Sequence, residues 1–167
     1  MKRRIYLFVI GLFSGLFIFS CEKENQSVTG IIISDSGCKT AKSVSYSVPV
    51  PDSLSCINYF YEKSSSKIFI KHINAGFNCC PGKLYCVVNM SGDTIIIKEY
   101  EQSSMCDCNC LYDLEMEITG VSSKLYQVKF IEPYSGNQEK IIFEMDLLNN
   151  PQGSFCVIRK QYPWGLG

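Results

Sequence analysis

From residue 28 to residue 162 the sequence reads as ten short β-type runs about ten residues apart: 28–34, 43–50, 56–62, 67–73, 84–90, 94–101, 106–118, 125–131, 140–147 and 155–162. Val, Ile, Tyr and Phe recur in them, the residues that suit a pleated, half-buried surface. Turn chemistry parts most of them, including Ser64-Ser65-Ser66, Pro81-Gly82, Ser91-Gly92-Asp93 and Ser135-Gly136-Asn137. After residue 27 there is no amphipathic helix of 10–12 residues and no internal repeat. Short strands at this spacing predict an all-β fold, an antiparallel β-sandwich of immunoglobulin-like or related type. One domain over 28–167 accommodates them.

Alternation then assigns faces, because a strand sends successive side chains to opposite sides. In 140–147, Ile141, Phe143, Met145 and Leu147 share one face, while Lys140, Glu144 and Asp146 share the other with Ile142 as the exception. In 106–118 the even set is Cys106, Cys108, Cys110, Tyr112, Leu114, Met116 and Ile118. That set is the expected core face. Asp113, Glu115 and Glu117 then form a solvated face, a simpler reading than a calcium site.

Residues 1–20 are of another kind. Lys2, Arg3 and Arg4 precede an apolar run over 5–19 broken only by Gly11, Ser14 and Gly15, and Ser20 stands before Cys21. A charged start, a short apolar stretch and a small residue at the cut mark a secretory signal. The run has fifteen residues, fewer than the roughly 20 that cross a bilayer core. Ile18-Phe19-Ser20-Cys21 resembles the lipobox of bacterial lipoprotein signals. That resemblance implies a diacylglyceryl group on the Cys21 sulfur, cleavage before Cys21 and acylation of the new amino end. Two or more acyl chains anchor stably where one binds only marginally. Residues 21–27 are then a lipidated tether, polar and without periodicity. The expected address is the cell envelope, at the outer membrane. Without residues 1–20 the acidic residues number 16 and the basic ones 13, a net charge of −3. No basic cluster remains to serve as a footprint for nucleic acid.

Nine cysteines follow Cys21: Cys38, Cys56, Cys79, Cys80, Cys86, Cys106, Cys108, Cys110 and Cys156. In an exported chain, disulfides are the default. Nine is odd, so at most four bridges form, and the pairing stays open. Cysteines two apart on a strand have Cα atoms about 6.6–6.8 Å apart, at the limit of disulfide geometry. Cys106, Cys108 and Cys110 are thus expected to bond other segments. In the preferred arrangement they face Cys79, Cys80 and Cys86, while Cys38, Cys56 and Cys156 supply any further bridge. The alternative is a thiolate metal site for Cu(I) or Zn(II) from Cys79, Cys80, Cys106, Cys108 and Cys110. Thiolates on one zinc lie about 3.8 Å apart, and three cysteines along one extended face do not converge so closely.

Other candidates favour structural roles. His72, the only histidine, is expected to be a hydrogen-bonded strand residue; a Cys–His nucleophile pair needs an orienting group and a cleft. Tyr59, Phe60 and Tyr61 are consecutive, so at least one faces outward. No Gly-rich phosphate loop, Gly-x-Ser-x-Gly elbow or His-Glu-x-x-His motif occurs.

Asn78-Cys79-Cys80-Pro81, the Thr94-Ile95-Ile96-Ile97-Lys98-Glu99 strand and Cys106-x-Cys108-x-Cys110-x-Tyr112-Asp113-Leu114 together resemble a pattern in uncharacterised lipoproteins of the Bacteroidota. The resemblance spans about residues 70–131. It implies an exported, β-rich domain and brings no catalytic residue. The expectation is a non-enzymatic binding or structural module without a cofactor. Its partners would be the membrane, through the lipid anchor, and an envelope protein or glycan. A thiolate metal-binding protein and a thiol redox enzyme are the alternatives.

Overall fold

The computed structural model describes residues 27–39, 50–161 and 163–164. The signal, Cys21, the tether up to residue 26 and most of the run at 43–50 lie outside the described residues. Nine strands are described: β1 (Thr29–Asp35), β2 (Leu54–Glu62), β3 (Lys67–Asn78), β4 (Leu84–Ser91), β5 (Thr94–Glu101), β6 (Asn109–Thr119), β7 (Leu125–Ile131), β8 (Ile142–Asp146) and β9 (Gln152–Ile158). They form a five-stranded sheet in the order β1-β6-β3-β2-β9 and a four-stranded sheet in the order β4-β5-β7-β8. The two pack face to face as the all-β sandwich the strand spacing predicts.

Alternation explains the core. Ile57 and Tyr61 of β2, Ile68 and Ile70 of β3, and Leu114, Met116 and Ile118 of β6 point inward from the first sheet. Val88, Ile95, Ile97, Val128, Phe130, Phe143 and Met145 meet them from the second. Each such side chain contributes about 1.5–3 kcal/mol when fully buried. The two faces expected for 140–147 appear as read, with Ile142 on the solvent side. Gly30 allows β1 to close the sandwich against β4, since a Cβ there would lie 2.3 Å from Val88 Cγ2.

Four details differ from the sequence expectations. The β5–β7 pair is parallel, so the second sheet is mixed. β6 lies in the opposite sheet and serves as the long crossover that a parallel pair requires. β3 runs on to Asn78 because the register shifts between His72 and Ala75. This bulge moves the inward set from Ile68, Ile70 and His72 to Ala75 and Phe77, which breaks the period-two signal at residue 73. β6 begins at Asn109, so Cys106 and Cys108 sit in the preceding loop and not on a core face; Cys108 is exposed. The last run shifts toward the N-terminus, to 152–158.

Asn74 holds the bulge. It takes φ +61°, a region Asn enters more readily than most residues. Its amide donates to the Pro51 and Leu54 carbonyls at 3.0 and 2.8 Å, and its Oδ1 accepts from Lys39 Nζ at 2.7 Å. Its carbonyl accepts from the Trp164 indole at 2.7 Å.

Candidate functional site

Two places concentrate polar or reactive chemistry. The first lies inside the sandwich. Ser55, His72, Glu99, Glu132 and Arg159 are all buried, and each falls in phase with inward apolar neighbours. Ser55 precedes Ile57, His72 follows Ile68 and Ile70, and Glu99 follows Ile95 and Ile97. Glu132 follows Val128 and Phe130, and Arg159 follows Val157. The alternation of β2, β3 and β5, and that of β7 and β9 continued one residue past their ends to Glu132 and Arg159, therefore carries these groups into the core. That phase was legible in the sequence, yet of the five only His72 stood out there by its residue type.

His72 Nδ1 is hydrogen-bonded to Glu99 Oε1 at 2.7 Å, and Ser55 Oγ lies 2.8 Å from His72 Nε2. Glu132 Oε1 is 3.8 Å from the same Nε2. Arg159 Nη2 donates to both Glu132 oxygens at 2.5 and 2.7 Å, and Nη1 donates to the Glu139 carbonyl at 2.9 Å. The guanidinium stacks on Trp164, 4.5 Å from the ring centroid. Two acidic groups, one guanidinium and one imidazole thus share the site, which lets acid and base offset one another where an unmatched buried charge is costly.

Serine, histidine and carboxylate in hydrogen-bonded order resemble a nucleophile, its base and its orienting acid. Ser55 and His72 are both 0% exposed, and neither cavity described below reaches them. This line lies within the core, and His72 is the hydrogen-bonded strand residue its pattern predicts.

Burial pulls the His72 pKa down, but the charge and hydrogen bond of Glu99, with Glu132 adding, outweigh it and hold it above 6.5 against Arg159. Burial raises Glu99 despite His72's charge and hydrogen bond. Both directions mean that the folded pair keeps a proton the unfolded chain releases. Stability from the pair is therefore fully present below about pH 6.5 for the imidazole and is lost as pH rises through the folded His72 pKa. Wild type is expected to lose stability between pH 6.5 and 8.5 more steeply than His72→Gln. Urea midpoints across that range check this, and parallel curves would refute it.

The second place is the cysteine-rich end. Four bridges are present: Cys38–Cys110, Cys56–Cys156, Cys79–Cys108 and Cys80–Cys106. Cys106, Cys108 and Cys110 bond other segments, as their spacing required. Two of the three face Cys79 and Cys80. Cys86 does not complete that set; it points into the core from β4 as a free, buried thiol, and Cys110 takes Cys38 instead. Burial, with Glu99 nearby, pushes the Cys86 thiol up to about 11.

Asn78 organises the loops that carry the sulfurs. Its Oδ1 accepts from the Cys80 and Cys106 amides at 2.9 and 3.3 Å, and its Nδ2 donates to the Cys106 carbonyl at 2.6 Å. Tyr112 donates to the Asn78 carbonyl at 3.0 Å. Asn78 and Tyr112 of the two motifs thus position the cysteines.

The sulfurs of Cys38, Cys79 and Cys110 all lie within 4.8 Å of one another. All three sulfurs are engaged in bridges, so they could offer thiolates only after reduction, and the grouping differs from the one read in the sequence. Cys79 and Cys110 belong to both and Cys38 joins them, while Cys80, Cys106 and Cys108 lie outside it, the first two in their own bridge and Cys108 bonded to Cys79. A cavity of about 480 Å³ opens beside it, lined by Cys38, Cys79, Asp35, Lys83 and Tyr112 among others.

On the outer face of the first sheet, Glu117 pairs with Lys67 at 2.8 Å, Glu115 with Lys71 at 3.7 Å and Asp113 with Lys39. The acidic face is thus matched by lysines. Phe60 points outward beside a cavity of about 230 Å³ that it shares with Ile33, Phe69 and Lys71, whereas Tyr61 is buried. No family model, curated protein or solved structure matches the chain.

Proposed function

We propose that the chain is a lipid-anchored protein of the bacterial cell envelope whose domain acts as a non-enzymatic binding or structural module. The observation that carries this reading is the cross-linking. Eight of the nine cysteines after Cys21 are joined in four bridges, a density typical of chains that mature in an oxidising compartment. The charged start, the short apolar stretch and the lipobox-like Ile18-Phe19-Ser20-Cys21 supply the route and the anchor. The nucleophile-like line at Ser55 is sealed in the core, which favours binding over hydrolysis. The outward Phe60 and its neighbours offer a surface for an envelope protein or glycan.

Cys21→Ser is expected to abolish both acyl labelling and processing. A mutant that is still cut and still partitions into membrane would overturn the anchor. Thiol titration of the oxidised mature protein tests the module. One thiol, Cys86, is expected in denaturant and none in the native state at pH 7–8, because its pKa is pushed to about 11. Three or more thiols with copurifying metal would establish thiolate metal binding instead. One reactive native thiol would establish redox catalysis.

A further inference from the structure

We propose that Cys38–Cys110 and Cys79–Cys108 form a thiol–disulfide exchange pair that accepts electrons from a dithiol reductant and passes them inward to Cys110 or Cys38. Three observations place this activity. Cys108 is the exposed residue of its bridge, while Cys79 is half-buried. Cys79 Sγ lies within 4.8 Å of both sulfurs of the second bridge. The cavity of about 480 Å³ leads from solvent to Cys38 and Cys79.

The steps follow from which sulfur is reachable. A thiolate of the reductant attacks Cys108 Sγ. A mixed disulfide forms there, the Cys79–Cys108 bond breaks, and its electron pair leaves on Cys79. Cys79 thiolate is then released against Cys38–Cys110. It attacks one of those sulfurs, forms a bond to it and expels the other as thiolate, with no net oxidation. The second thiol of the reductant resolves the mixed disulfide at Cys108 and departs as a disulfide. One protein bridge has then been reduced and one dithiol oxidised, and a proton from water settles each released thiolate.

The chain position of Cys38 gives the exchange a consequence. Cys38 follows β1, and its bridge ties that segment to β6. Attack at Cys110 frees Cys38 and releases that tie. Attack at Cys38 transfers it to Cys79 at the end of β3. Cys80–Cys106 and Cys56–Cys156 lie outside the sulfur grouping and hold the domain throughout.

Cys108→Ser isolates the second step, because it leaves a thiol on Cys79 beside Cys38–Cys110. The oxidised variant is acid-quenched, its free thiols are alkylated in denaturant, and the bridges are then reduced and alkylated with a second reagent. Fragment ions locate the first label. Apart from Cys86, most of that label is expected on Cys110 or Cys38, with loss of most of it from Cys79. Cys79→Ser is the control: its thiol on Cys108 lies outside the grouping and is expected to keep the label. Label confined to Cys79 in the first variant, or scattered in the control, would overturn the proposal. Wild type treated with less than one equivalent of dithiothreitol gives the same readout without mutation. There, early label on Cys110 or Cys38 supports the exchange, and early label on Cys79 together with Cys108 overturns it.

Discussion

Replacing Arg159 with leucine is expected to lower the unfolding free energy by about 3–5 kcal/mol, the usual cost of removing one partner from a buried ion pair. Arg159 gives Glu132 two hydrogen bonds and is 1% exposed, so the substitution leaves a carboxylate in the core with the His72 ring 3.8 Å away in place of the guanidinium. It also removes the donor to the Glu139 carbonyl and the stack on Trp164, and it leaves the like charge of Glu99 acting on Glu132 without the guanidinium to offset it. With a urea slope of about 1–3 kcal/mol per molar, the midpoint should fall by roughly 2 M. Far-UV circular dichroism is the proper probe, because Trp164 emission changes when its stacking partner is lost. Arg159→Leu combined with Glu132→Leu should recover most of the loss, since apolar pairs often replace buried ion pairs at little cost. A loss below about 1 kcal/mol in the single variant would mean that Glu132 finds water, and the network would not be the sealed one described.

This network also shows where the sequence was legible and where it was not. The period-two pattern placed the core residues of β6 and β8 on the correct faces, because in regular strands the pleat alone decides the face. It stopped at Ile73 because the bulge held by Asn74 flips the parity. Nothing in the composition of that stretch announces a residue that satisfies the Pro51 and Leu54 carbonyls at once. Glu99, Glu132 and Arg159 are in phase with the apolar set, yet a charged side chain is normally solvated, so no local signal marks them as buried. Only their mutual pairing across both sheets overrides that preference, and pairing between strands so far apart in the chain is a tertiary property. The cysteines divide in the same way. Spacing excluded bonds within 106–110, but the choice of Cys38 for Cys110 depends on β1 lying beside β6, which no local signal fixes.

Removing Cys56–Cys156 by Cys56→Ala with Cys156→Ala is expected to cost about 4 kcal/mol, more than the loss of Cys80–Cys106. In the chain-entropy account a bridge acts by shortening the unfolded chain, so the relevant loop is the one that remains when the other bridges are intact. For Cys56–Cys156 the shortest path runs back to Cys38, across to Cys110 and on to Cys156, about 64 residues in place of the separation of 100. For Cys80–Cys106 it runs through the adjacent Cys79–Cys108 and spans only about four residues in place of 26. The same relation gives about 2 kcal/mol for that short loop, so the two double-alanine variants should differ by about 2 kcal/mol. Position strengthens the contrast. Cys56 and Cys156 are register partners that pin the edge strand β9 to β2, while Asn78 holds the Cys80 and Cys106 loops by hydrogen bonds that survive loss of their bridge. Each variant removes both partners, so neither adds an unpaired thiol to the buried Cys86. Equal losses in the two urea titrations would show that these bridges act through native-state contacts and not through the unfolded chain.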